Sequence, residues 1–176
     1  MIRPATLRDA TFIGANMRAN DAHEILCQLP EGTSSADAAA ICFATTPDGW
    51  KWTAWFNGQP VAAFGVMALT HCVWQGWAFG TDRMARVIPM VSLFMMNQRE
   101  RMQEHGCRRL EARAFKRHNQ ARVWITHMGG TYRCDLPEHG RNGETFELWE
   151  WVYSDVLCSK GPQPATSGSA ANGGDG

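Results

Sequence analysis

Glu104-His105-Gly106-Cys107-Arg108-Arg109-Leu110-Glu111-Ala112-Arg113, followed by Asn119-Gln120-Ala121-Arg122-Val123-Trp124-Ile125-Thr126-His127-Met128-Gly129-Gly130, is the passage that decides the fold. Gly106 fits the C-terminal cap of a helix. From Arg108 to Phe115, Leu110, Ala112 and Ala114 alternate with Arg109, Glu111 and Arg113, the two-residue period of a strand. Residues 119–128 return to helical spacing, and Gly129-Gly130 stops them. Helix, strand and helix thus follow one another with short joints.

Working outward, a helix is predicted from Pro89 to His105, with Met90, Leu93, Phe94 and Met102 on one face. Pro89 suits its first turn, where a missing N–H costs little. Three strand-like runs precede it: Trp50–Ala54, Gln59–Leu69 and Cys72–Phe79, the last ended by Gly80-Thr81-Asp82. Asn57-Gly58 is a hairpin turn signal between the first two. Gly65, inside the second, predicts a bulge or a close backbone approach. Met1–Leu7 reads as a short strand entering a helix over Ala10–Leu29, with a break near Asn20-Asp21. Ser34 or Ser35 caps a further helix over Ala36–Ala44, with Asp37 near its positive end. Downstream, a loop over Asp135–Gly143 leads to a strand over Thr145–Tyr153. This order, β-α-α-β-β-β-α-β-α-β, implies an α/β (α+β mixed) domain: one mixed sheet with helices on its faces. The domain is expected over residues 1–156, and the Gly/Ser/Pro-rich stretch 157–176 as a disordered tail.

Composition narrows the function classes. The chain has 176 residues, with 17 Lys+Arg against 17 Asp+Glu. A zero net charge gives no reason to expect nucleic acid or an anionic membrane as partner. No signal peptide and no apolar run near a membrane span of roughly 18 residues is evident, so a cytoplasmic protein is expected. Cys27, Cys42, Cys72, Cys107, Cys134 and Cys158 include no Cys-x-x-Cys pair and read as reduced thiols. Cys134 and His139 are two zinc-type residues without a second pair at finger spacing, so no metal is expected. Eight Trp residues predict a well-filled core.

The quoted passage resembles the GNAT N-acetyltransferases. Residues 104–113 are similar to that family's passage of helix, glycine and fifth strand, and residues 119–130 to the following helix. Gln59-Pro60-Val61-Ala62-Ala63-Phe64-Gly65 is similar to its third strand. The resemblance covers roughly residues 1–153 and implies a mostly antiparallel six- to seven-stranded sheet with helices on both faces. It also implies acetyl-CoA as cofactor, its pyrophosphate held by a Gln/Arg-x-x-Gly-x-Gly/Ala loop at a helix start. Glycines there let successive N–H groups face the phosphates. The corresponding stretch here is Arg83-Met84-Ala85-Arg86-Val87-Ile88, with Arg86 and Ile88 in place of glycines. Gln75–Gly80 is a partial match, but lies inside a strand. Thr126 stands where many members carry a Tyr that protonates the leaving thiolate.

A narrower resemblance accommodates both departures. Trp77-Ala78-Phe79-Gly80-Thr81-Asp82-Arg83-Met84, with Ile2-Arg3-Pro4-Ala5-Thr6, Asp9, Asn16-Met17-Arg18, Asp21 and Glu24, looks like the GNAT-like proteins of tailed bacteriophages, including the internal virion protein A type. Two functions follow. The first is a phage-type protein with a degenerate acyl-CoA loop, needing no cofactor and acting in virion assembly or infection through virion or host proteins. Trp74, Trp77, Trp149 and Trp151 either line its binding surface or pack the core. It would sit in the host cytoplasm or the virion. The second is an active acetyl-CoA-dependent N-acetyltransferase on an unknown amine. The amine would attack the thioester directly, with Glu24 or Glu111 as base, Thr126 at the acid position, and backbone groups between the fourth and fifth strands orienting the acyl carbonyl. A residual ligand site would comprise Arg83, Arg86 and Asn119.

Overall fold

The computed structural model describes residues 1–153. The boundary expected at 156 and the tail beyond it lie outside the described residues. The elements are β1 (Ile2–Pro4), α1 (Leu7–Ala15), α2 (Ala19–Leu26), α3 (Ser35–Thr45), β2 (Lys51–Phe56), β3 (Gln59–Ala68), β4 (Val73–Gly80), α4 (Ile88–Asn97), α5 (Arg99–Glu104), β5 (Arg109–Phe115), α6 (Asn119–His127), β6 (Thr131–Leu136) and β7 (Phe146–Val152). A 3-10 turn, Met84–Arg86, precedes α4. The strands form one seven-stranded sheet in the order β1-β2-β3-β4-β5-β7-β6. Every pairing is antiparallel except β4 with β5. The mixed, mostly antiparallel sheet is therefore as expected.

Local signals explain the elements. Asn57 and Gly58 both take positive φ, 48° and 76°, in the β2–β3 turn. Ser34 caps α3, its side chain accepting from the Asp37 N–H at 3.1 Å. Three expectations need correction. The first helical break falls at Asn16–Arg18, not at Asn20-Asp21, because the Asn16 amide turns back to the Phe12 carbonyl and ends α1. The single helix over 89–105 is two, α4 and α5, meeting at Gln98. Residues 131–136, not predicted as a strand, form edge strand β6.

The sheet is covered on both faces, so β3 is buried on both sides and reads as a continuous apolar run. Its alternate residues divide between two cores. Phe64 and Val66 join Trp50, Trp52, Val91 and Met102 beneath α4 and α5. Ala63 joins Phe79, Ile13 and Ala39 beneath α1 and α3. Gly65 meets the close approach expected of it: a Cβ there would lie 2.8 Å from both the Trp50 carbonyl and the Trp77 ring.

Candidate functional site between β4 and β5

The two parallel strands pair only at Val73–Gln75 with Arg109–Glu111. Beyond that, β4 continues to Gly80 and β5 to Phe115 with no ladder between them, so the sheet opens. A cavity of about 250 Å³ fills the opening. Gly76, Ala78 and Ala112 rim it with almost no side chain, which leaves the gap unfilled. Ile25, Leu29, Cys42 and Trp77 line it toward α2 and α3. Phe64, Met95, Trp124 and Trp151 line it toward α4 and α6. The slot therefore passes through the plane of the sheet.

Helix α2 spans the parted strand ends with two carboxylates one turn apart. Asp21 accepts from the Gly80 N–H at 2.8 Å, and the Arg18 N–H donates to the Gly80 carbonyl at 2.9 Å. Glu24 Oε2 accepts from the Phe115 N–H at 3.0 Å. His118, just beyond β5, joins the pair: its Nδ1 lies 2.8 Å from Glu24 Oε2 and its Nε2 3.6 Å from Asp21 Oδ1. Asp21 and His118 are each 3% exposed, so this is a buried imidazole between two carboxylates. Arg18 Nε stands 2.7 Å from Asp21 Oδ2 and offsets part of the negative charge. Strand backbone groups alternate sides. With both Gly80 groups turned away from β3, those of Ala78 turn the same way, into the slot. The arrangement offers an extended ligand strand-type hydrogen bonds and an apolar passage, beside a carboxylate that is hydrogen-bonded to a buried imidazole.

The sequence resemblance implies acyl-CoA, and the turn before α4 tests that implication. The N–H groups of Met84, Arg86 and Val87 donate to Thr81, Arg83 and Met84 carbonyls at 2.9, 3.0 and 2.9 Å. The Arg83 N–H donates to Thr81 Oγ1 at 3.3 Å. Pro89, in the first turn of α4, has no N–H to offer. Buried Met84 packs the turn onto β4, where a Gly80 Cβ would lie 2.7 Å from it. Four of the five N–H groups from Arg83 to Val87 are thus satisfied within the chain, which leaves no run of successive free donors there to cradle a pyrophosphate. This turn does not fit a pyrophosphate held on backbone N–H groups.

Of the residues expected from sequence, the structure brings Glu24 to the slot. It does not bring Glu111 there. That carboxylate, a candidate base from sequence, is buried and paired with the Arg109 guanidinium. Thr126 is exposed on α6, its hydroxyl donating to the Arg122 carbonyl at 2.9 Å. Arg83 is exposed, its Nη1 donating to Gln59 Oε1 at 3.1 Å in a shallow cleft with Asn16 and Asp82. Arg86 is exposed on the 3-10 turn. Asn119 opens α6 and accepts from Arg122 at 3.3 Å. Trp74 and Trp149 are core residues, whereas Trp77 and Trp151 reach the slot. Sequence reasoning missed His118 as Glu24's partner. The two are 94 positions apart, and no spacing rule links them.

No protein-family model matches the sequence, and no curated protein matches it. Solved structures do. The chain superposes on yncA of Salmonella typhimurium, a structure that contains acetyl-CoA, with TM-score 0.68 and 11% identity, covering 91% of this chain and 97% of that one. It superposes on an N-acetyltransferase of Staphylococcus aureus Mu50 with TM-score 0.63 and 14% identity, over 87% and 98% of the two chains. A GNAT-family acetyltransferase of Streptococcus pneumoniae gives TM-score 0.58 and 14% identity, over 86% and 98%. Identities this low establish shape and leave chemistry open. By these superpositions the chain has the GNAT acetyltransferase fold.

Proposed function

We propose that this chain uses the acetyltransferase frame to bind rather than to transfer acetyl groups. The observation that carries the reading is the turn before α4, whose Arg83, Met84, Arg86 and Val87 N–H groups are spent on Thr81, Arg83 and Met84. With no backbone cradle, the most highly charged part of acyl-CoA has only exposed Arg83 and Arg86 to meet it, and Arg83 is held by Gln59. The slot remains, and with it a place for an extended apolar segment. We propose a protein partner, and the role in virion assembly or infection that the phage-like passage at residues 77–84 implies. That role rests on the sequence resemblance.

A second reading is favoured by one observation. Glu24 lines the slot and is hydrogen-bonded to buried His118, so an amine entering the gap would meet a carboxylate backed by an imidazole. Under it, Arg83 and Arg86 would hold phosphate by their side chains, Asn119 would contribute elsewhere to the ligand site, and the chain would be an N-acetyltransferase.

Thiol release from acetyl-CoA separates the two. The purified chain is incubated with acetyl-CoA and a panel of primary amines and peptides. The binding reading expects release at the uncatalysed rate with every amine. Turnover that Glu24→Gln abolishes would establish the second reading instead.

A further inference from the structure

The face of α2 that carries His23 and Cys27 meets the connection between β6 and β7 at Glu144. His23 and Cys27 are four residues apart, so their side chains share one helix face. A ring nitrogen of His23, the Cys27 sulfur and a Glu144 carboxylate oxygen all lie within 4.8 Å of one another. We propose that these three residues bind one zinc ion, with water as fourth ligand.

The donor set suits that ion. One imidazole, one thiolate and one carboxylate with an open fourth position is a three-ligand zinc set. A point central to a triangle with 4.8 Å sides is about 2.8 Å from each corner, so contraction of several tenths of an ångström reaches zinc bond lengths of roughly 2.0–2.3 Å. A thiolate and a carboxylate neutralise the dication. The thiol proton of Cys27 leaves to solvent as the zinc–sulfur bond forms.

The surroundings hold the ligands in place. Glu144 accepts from the Asn142 N–H at 2.9 Å and from its side-chain amide at 3.2 Å. Such hydrogen bonds behind a ligating carboxylate fix its direction. The same connection is tied to α2 by the Arg141 N–H, which donates to the Cys27 carbonyl at 2.7 Å. Arg141 directs its guanidinium to the Leu29 carbonyl, at 3.3 Å. Cys27 is 3% exposed, so its sulfur is fixed in place by the surrounding packing. His23 is exposed and leaves an entry path. The pair nearest to zinc spacing in the sequence, Cys134 and His139, is not part of the cluster.

Cobalt(II), which takes zinc's place with a visible spectrum, reports the site. It is titrated into the purified chain in a thiol-free reductant. The expected result is one equivalent bound, with thiolate-to-cobalt charge-transfer absorption that zinc then removes. Cys27→Ser should abolish that absorption, and Cys134→Ser should leave it intact. His23→Ala, at an exposed position, should fold normally and weaken cobalt by about tenfold or more. Absence of the absorption in the unaltered chain would overturn the proposal. So would its survival in folded Cys27→Ser, its loss in Cys134→Ser, or unchanged affinity in His23→Ala.

Discussion

Asp21, buried on α2, accepts a hydrogen bond at 2.8 Å from the backbone N–H of Gly80, the last residue of β4 and 59 positions away. Glu24, one turn on, does the same for Phe115 at the end of β5. One helix therefore supplies partners to two strand ends that no longer have each other. A sheet that opens leaves strand N–H groups without a ladder, and buried groups of that kind must be satisfied. The slot stays open because its ends are capped this way.

Removing the first cap should be costly. Asp21→Ala leaves the Gly80 N–H without its acceptor and Arg18 without its counter-charge. A loss of about 3 kcal/mol is expected. It would be read as a lowered urea midpoint at neutral pH, and a change below about 1 kcal/mol would contradict the role assigned to Asp21.

Gly65 is the second lever. Any Cβ there would press on the Trp50 carbonyl, which is backbone and cannot swing away, and on the Trp77 ring. Gly65→Ala should destabilise the chain by about 1–3 kcal/mol, the usual cost of overpacking a tight core. Trp77 lines the slot, so the tryptophan emission of the folded variant should shift as well. A variant with unaltered urea midpoint and emission would show that the strand slides to make room.

These elements divide according to how local their signals are. Gly65 was legible because a glycine inside an apolar strand marks a place where something comes too close for a side chain. The Asn57-Gly58 turn and the Ser34 cap were legible because each depends on two to four adjacent residues. Edge strand β6 was not. Thr131, Tyr132, Arg133, Cys134 and Asp135 are all exposed, so no buried face imposed alternation on them. The site was half legible. Glu24 was named as a candidate base, but its position at the slot and its partner His118 arrive by the fold alone. Glu111, named as a candidate base, is instead engaged away from the slot, because its surroundings are set by Arg109 and by β7, where Glu150 faces it across the ladder and is itself paired with Arg109 and Arg133.

Alkaline pH should weaken the fold before it alters any charge network. Burial pushes the thiols of Cys27, Cys42 and Cys107 from 9.0 up to about 11. It pushes the Tyr153 phenol from 10.0 to about 12, with Cys107 adding to the rise. Each group is kept protonated by folding while the unfolded chain ionises first. Their stabilisation is complete below about pH 9, declines as pH rises from there, and is gone above about pH 12. Urea midpoints under reductant should fall steadily between pH 9 and 10.5, and Tyr153→Phe should flatten the part of the decline above pH 10. A midpoint constant across that interval would contradict the buried placement of these groups.

Calorimetric titration of acetyl-CoA into the purified chain, beside an Arg83→Ala/Arg86→Ala variant, tests the central claim most directly. The spent N–H groups of the turn before α4 predict no heat of binding at millimolar ligand from a folded sample. Micromolar binding that the double variant loses would contradict the account, because the two arginines would then have replaced the backbone cradle and the chain would hold acetyl-CoA after all.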